Sequence, residues 1–278
     1  MKFNIVQKLT FFVYLLFYKL IAPLECYNYR LTILFNEIGY FAAHIFPSLK
    51  LIYQNEKILL KTRCGDFFIR KIWPDLTIAS PSFERTDIVY LNNLIGNRLK
   101  KRKKVMFVDI GAGFGKYSVS IGRKWKSNDH LELMAFEPFP ENFSLLKRNI
   151  QINKLSSVRI FQSVLSNKNG FVDFYINDQM KMFTTFKSGS KKIKLKAEKL
   201  NSFSRYFSKF DEIFIKLDVE GHETEVLQGA SKILRLGKRV VLLVEDGIDK
   251  RLPNYLLSNF IFLSKQSIYN SFWEIQPG

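Results

Sequence analysis

Cysteine is nearly absent. Cys26 and Cys64 are the only two in 278 residues, and they lie far apart. This excludes a disulfide framework and any CxxC zinc site within the chain, and it suits a reducing, cytoplasmic setting. Histidine is equally scarce, with three copies. No internal repeat or low-complexity tract appears. Acid is outnumbered, 25 residues against 43 basic ones, for a formal charge of +18. Such a field favours acidic partners such as nucleic acid, anionic lipid or a phosphorylated substrate, although a lysine-rich surface needs no partner.

An apolar run long enough to cross a membrane is also missing. Residues 9–18, LTFFVYLLFY, follow Lys2 and Lys8 as the start of a signal peptide would, but Lys19 interrupts them and no small-x-small cleavage site follows. Ten helical residues reach roughly 15 Å, about half a hydrocarbon core. With LTILFNEIGYFAAHIF (31–46) they read as a helical, aromatic-rich extension that packs on the domain or makes peripheral membrane contact through residues 1–50.

What the chain has in plenty is apolar residues, 47%, with 27 phenylalanines among them. That supports a full core and excludes general disorder. KILLKTRCGDFFIRKI (57–72) reads as two short strands around a turn. Pro74 and Pro81 break the chain, and the main domain is expected over 81–278, after an extension over 1–80. A helix over 83–99 and the basic edge RLKKRKK (98–104) open that domain.

The pattern then alternates. KVMFVDI is a strand, 116–126 a helix, LELMAFEP a strand, and ENFSLLKRNIQIN a helix. VRIFQSVLS reads as one strand and GFVDFYI as a hairpin arm; KSGSKKIKLKAEK (187–199) reads as a basic stretch around a loop. EIFIKLDV, a helix ETEVLQGASKIL, the strand RVVLLVED and a final antiparallel pair complete it. Apolar strands alternating with helices predict a doubly wound α/β fold with a mostly parallel sheet covered on both faces.

Ligands of such sheets gather beyond the carboxyl ends of the strands. VDIGAGFG (108–115) sits at one such end, directly before a helix. Gly111, Gly113 and Gly115 let the backbone approach a ligand closely. The dinucleotide fingerprint GxGxxG would need glycine at 116, which is Lys116. Glu137 ends the next strand, 24 residues beyond Gly113, where a carboxylate can accept hydrogen bonds from both ribose hydroxyls. Glycines facing an amino-acid moiety and an acid facing a ribose describe S-adenosylmethionine (SAM). Ala112, Tyr117 and Pro138, in the same two segments, complete the candidate cofactor surface.

Four segments in order, VDIGAGFGKYS (108–118), FEPFPENFSLLKRNIQIN (136–153), SVLSNKNGFVDFY (163–175) and IKLDVEGHETEVLQGA (215–230), together with LLVED (242–246), resemble the FkbM-type methyltransferases. The resemblance covers about half the chain and little of the first 80 residues. It implies a SAM-dependent enzyme with the seven-stranded, Rossmann-like class I fold, acting on hydroxyls of sugars or other hydroxylated metabolites. It also implies that Asp109, Gly111, Gly113 and Glu137 contact cofactor. Many relatives read GAN at 111–113, and many carry a histidine near Glu245 where Asp246 and Gly247 stand here.

In IFIKLDVEGHE, the residues Lys216, Asp218, Glu220, His222 and Glu223 crowd a strand's carboxyl end. Lys216, Asp218 and Glu220 alternate onto one strand face. Crowded acids raise one another's pKa and make a better base. Asp218 is the candidate nearest the methyl-transfer line, His222 the candidate base or orienter, and Glu245 the candidate holder of the acceptor. Asp218, Glu220 and Glu245 would suit magnesium, though nothing in the spacing requires a metal. A structural reading stands beside these, in which Glu220 and Glu223 cap the next helix and Lys216 pairs with Asp218.

The expected activity is O-methylation of a glycan, lipid-linked sugar or other hydroxylated metabolite. Two alternatives are RNA ribose methylation and a non-catalytic SAM-binding, membrane-associated protein. The chain lacks the [DN]PP[FYW] segment of base amino-group methylation, and neither cysteine follows a core strand as covalent cytosine chemistry would need.

Overall fold

The structure is a computed structural model and describes residues 57–70, 73–81, 83–176, 184–185, 191–245, 247–267 and 269–276. The helices expected before residue 50 lie outside them. The chain divides into two compact units, residues 1–85 and 86–278.

In the first unit, β1 (Lys57–Lys61) and β2 (Asp66–Arg70) pair antiparallel around a turn. Thr62 Oγ1 donates to the Gly65 carbonyl at 2.8 Å and closes that turn. Pro74 does not break the chain. It lies second in α1 (Trp73–Ala79), where a missing N–H costs nothing because the first helical amides have no carbonyl to bond. Arg70 forks onto buried Asp75 through two 2.9 Å hydrogen bonds, tying helix to strand.

The second unit holds a seven-stranded sheet. Its parallel members are β3 (Val105–Ile110), β4 (Leu131–Phe136), β5 (Val158–Phe161), β10 (Glu212–Leu217) and β11 (Arg239–Glu245). β12 (Ile261–Ser264) and β13 (Asn270–Ile275) add the expected antiparallel pair. Across the sheet the order is β12-β13-β11-β10-β3-β4-β5. The helices are α2 (Arg85–Lys100), α3 (Lys116–Lys124), α4 (Pro140–Ile152), α5 (Glu223–Gly229), α6 (Ser231–Leu234) and α7 (Leu252–Asn259).

Alternation along the strands explains the two-faced core. Met106, Val108 and Ile110 of β3 enter one cluster with Ile213, Ile215, Leu242 and Val244. Val105 and Phe107 enter the other with Phe214, Val241, Leu243 and the Ile88, Leu91, Ile95, Leu99 face of α2. Each such side chain contributes roughly 1.5–3 kcal/mol by leaving water. At the amino ends of the strands, buried Glu212 pairs with Arg98 and Arg239, and Arg239 reaches Glu274.

Three further expectations are corrected. VRIFQSVLS is two strands, β5 and β6 (Val164–Leu165), in different sheets. The basic segment after residue 190 is no loop: Lys191–Glu198 is β9. With β7 (Gly170–Ile176) and β8 (Thr184–Thr185) it forms a four-stranded sheet ordered β6-β9-β7-β8. Lys192, Lys194 and Lys196 alternate with Ile193, Leu195 and Ala197, which pack on Val164, Phe174 and Phe139; the charge hid a period-two strand. ETEVLQGASKIL breaks at Ala230 into α5 and α6, where Gly229 lies so near the Ser166 carbonyl that a Cβ would come within 2.0 Å of it. Among the described residues, no helix is long and apolar enough to cross a membrane.

Candidate active site

β3 lies centrally, with β10 on one side and β4 on the other, and the turn after it supplies the first half of the site. Gly111 has φ +75°, and a Cβ there would lie 1.8 Å from the Asp218 carbonyl oxygen. Only glycine lets the ends of β3 and β10 meet so closely. The amides of Gly111 and Ala112 both donate to the Phe136 carbonyl at 3.0 Å, which fastens the turn to β4. Gly115, also left-handed, packs beneath Leu146. Gly113 differs, because a Cβ on it would meet nothing within 4 Å.

Glu137 is buried below this turn. Its carboxylate accepts from the Gly113 amide at 2.8 Å and the Phe139 amide at 2.9 Å. Burial nevertheless pushes its pKa up to about 7. Pro138, beside it, is half-buried. Asp109 anchors the first turn of α3: its Oδ2 accepts from the amide and hydroxyl of Ser118, at 3.0 and 2.6 Å. It is buried with Oδ1 unpartnered, and burial raises its pKa.

The second half comes from β10 and β11. Lys216 donates to Asp218 at 2.9 Å and to the Gly111 carbonyl at 3.3 Å, and sits 5.3 Å from the centre of the Tyr117 ring. One buried ammonium thus joins the glycine turn to the acidic loop. Asp218, Glu220 and Glu245 bring one carboxylate oxygen each within 4.8 Å of the others. Glu220 reaches this position with φ +54°, a left-handed conformation costing on the order of 1 kcal/mol. Burial, then the charges of Asp218 and Glu223, push its pKa up to about 7. Glu245 is driven well above the carboxylate range by burial and by Asp218 and Glu220. Three converging acids next to one lysine can share protons, orient a hydroxyl or hold a hard cation.

His222 stands apart from them. Its Nε2 lies 3.0 Å from Ser166 Oγ and its Nδ1 3.5 Å from Glu225, and burial lowers its pKa. Glu223 faces its own amide at the start of α5 and also turns back into the preceding loop. It accepts from the amides of Val219 and Gly221, at 3.2 and 3.1 Å, and so shapes the loop that carries Glu220. The cap of α5 is Asp249, which accepts from the Thr224 amide at 3.1 Å and grips Arg251. No signal in the sequence marks Asp249, since its partner lies 25 residues away.

This fold and the two halves of the site define a class I methyltransferase architecture. The family model described as Methyltransferase FkbM domain matches residues 109–252, and the chain belongs to that family of SAM-dependent methyltransferases. It is 24% identical over 144 residues to "Methyltransferase 1" of Beauveria bassiana (strain ARSEF 2860), covering 44% of this chain and 57% of that protein, less than two thirds of its length. Among solved structures it is similar to a SAM-dependent methyltransferase from Agrobacterium tumefaciens (TM-score 0.46, 11% identity, 81% of this chain and 71% of that one). It is also similar to an rRNA methylase from Streptococcus thermophilus (TM-score 0.37, 12% identity, 63% and 87%).

The residues present fit SAM. The turn is open at Gly113, and the Glu137 carboxylate, with about four acceptor positions, keeps capacity for a ribose hydroxyl beyond the Gly113 and Phe139 amides and the Asn142 side chain.

Proposed function

We propose that this protein transfers a methyl group from SAM to a hydroxyl oxygen of a glycan, lipid-linked sugar or other hydroxylated metabolite. The observation that carries this reading is the convergence of Asp218, Glu220 and Glu245 beside Lys216, adjoining the glycine turn. Bound SAM supplies an electrophilic methyl on a sulfonium. Gly111, Ala112, Gly113 and Glu137 hold it, with Gly115, Tyr117 and Pro138 framing the surface.

What remains for the chain is alignment and proton removal. Good positioning supplies roughly 7–11 kcal/mol of barrier lowering, and a general base adds about 10²–10⁴-fold. Asp218, fixed by Lys216, orients the acceptor hydroxyl. Glu220 takes its proton, and its raised pKa makes it a stronger base near neutrality. Glu245, held protonated, donates a hydrogen bond to Asp218. His222 supports the loop from the far side rather than serving as base. The same three acids suit a divalent ion, which would orient the acceptor oxygen instead.

Purified protein, Asp218→Asn and Glu220→Gln, incubated with methyl-labelled SAM and fractionated extract, test this. Label in a sugar-containing or small hydroxylated fraction, reduced about 100-fold or more in both variants, supports it. Nuclease-sensitive label would replace it with RNA methylation. Rates unchanged by either substitution would remove the acids from the mechanism. A chelator arm reads the metal requirement directly.

A further inference from the structure

The four-stranded sheet turns a chemically distinctive face outward. Its inner face, with Val172, Phe174, Ile193, Leu195 and Ala197, packs against Phe139 and Val164. Antiparallel register puts Phe171 opposite Lys196, Asp173 opposite Lys194 and Tyr175 opposite Lys192 on the outer face. Successive lysines there stand about 7 Å apart. Phe171 is 71% exposed, an unusual place for a bare ring.

Charge and geometry both bear on what lies there. Lys168 adds a fourth cation, and with Phe171, Val172, Asp173 and Lys194 it lines a depression of about 260 Å³. This is below the roughly 300–1,000 Å³ that encloses a whole small ligand, so any partner here lies across the face rather than inside a pocket. Lys192 pairs with Asp173 at 2.8 Å and lies 5.9 Å from the Tyr175 ring centre, and Lys196 pairs with Glu198 at 2.9 Å.

We infer that the Phe171–Tyr175 and Lys192–Lys196 face docks an extended acidic glycan, a chain of hydroxyl-rich rings bearing carboxylates or other anionic groups. The lysine row meets the anions, and the exposed aromatic ring offers a flat apolar surface to a sugar ring. Asp173, paired with Lys192, keeps acceptor capacity for sugar hydroxyls beside the lysines. A membrane surface fits less well, since Phe171 is the only large apolar side chain exposed among the described residues of this face.

The glycan nature of the acceptor rests on the hydroxyl-methylating reading above, whereas docking at this face is measured separately. The full chain is run through native gels cast with hyaluronan, polygalacturonate or neutral dextran, alongside Phe171→Ala and Lys194→Gln. Oligo-uridylate shifts, phosphatidylglycerol vesicle binding and SAM titrations accompany them. Expected are retardation by both acidic polymers but not dextran, weakened by salt, and a loss of about fivefold or more in each variant, with SAM affinity unchanged. No retardation, or retardation equal in both variants, overturns the inference. So does tighter binding of oligo-uridylate or of vesicles that the same substitutions abolish. Methyl transfer to these polymers tests the acceptor reading alone, so either idea can fail without the other.

Discussion

Gly111→Ala and Gly113→Ala are the same chemical change two residues apart, and they should do different things. At Gly111 the new methyl would sit 1.8 Å from the Asp218 carbonyl oxygen, a backbone atom that no rotamer change can move aside. Overpacking of that kind costs about 1–3 kcal/mol, and the left-handed φ of +75° adds roughly 1 kcal/mol more. The sum is about 2–4 kcal/mol. For a unit of this size each kcal/mol lowers Tm by about 2–4 °C, so Gly111→Ala should melt roughly 5–15 °C early. At Gly113 the methyl meets nothing within 4 Å and only the φ of +57° is unfavourable. Its Tm should fall by no more than about 4 °C, while its SAM affinity falls at least tenfold if, as proposed, the open space beside it takes the ligand. Calorimetric melting and SAM titration of both variants decide the matter. Wild-type SAM affinity in Gly113→Ala, or a wild-type melt in Gly111→Ala, would refute the geometry assigned to this turn.

Stability should depend on pH through the buried acids. Glu137 and Glu220 hold protons up to about pH 7 when folded, and Glu245 higher still, against about 4.5 when unfolded. Between those limits the unfolded chain binds fewer protons, so Tm should fall as pH rises from about 5 through 7; Glu245→Gln should melt above wild type at pH 8 and lose that advantage at pH 5. His222→Gln should keep methyl transfer within about threefold while costing about 1 kcal/mol of stability, since the ring contacts Ser166 and Glu225 rather than the acids. A hundredfold loss of rate with an unchanged melt would restore His222 as the base. Asp249→Ala should lose about 1–3 kcal/mol by uncapping α5 and freeing Arg251; a melt within 1 °C of wild type would contradict that anchoring.

Local pattern was enough for much of this molecule. Short, β-branched apolar runs such as VMFVDI and RVVLLVE, alternating with helical segments, mark strands buried on both faces, and the helical spacing of Ile88, Leu91, Ile95 and Leu99 marks one face of α2. The glycine turn, Glu137 and the LDVEGHE block were legible too: each occupies a strand's carboxyl end, and parallel strands bring such ends together. Tertiary structure decided the rest. It turned Asp109 toward Ser118, made Lys216 the link between Gly111 and Asp218, and swung His222 away to Ser166. It brought Glu245 to Asp218 and gave α5 its cap from Asp249. It also set Lys192, Lys194 and Lys196 of β9 opposite Tyr175, Asp173 and Phe171 on one outward face. Those are contacts between residues 9 to 105 positions apart in most cases, and their partners are chosen by register and packing, which no single stretch of the chain contains.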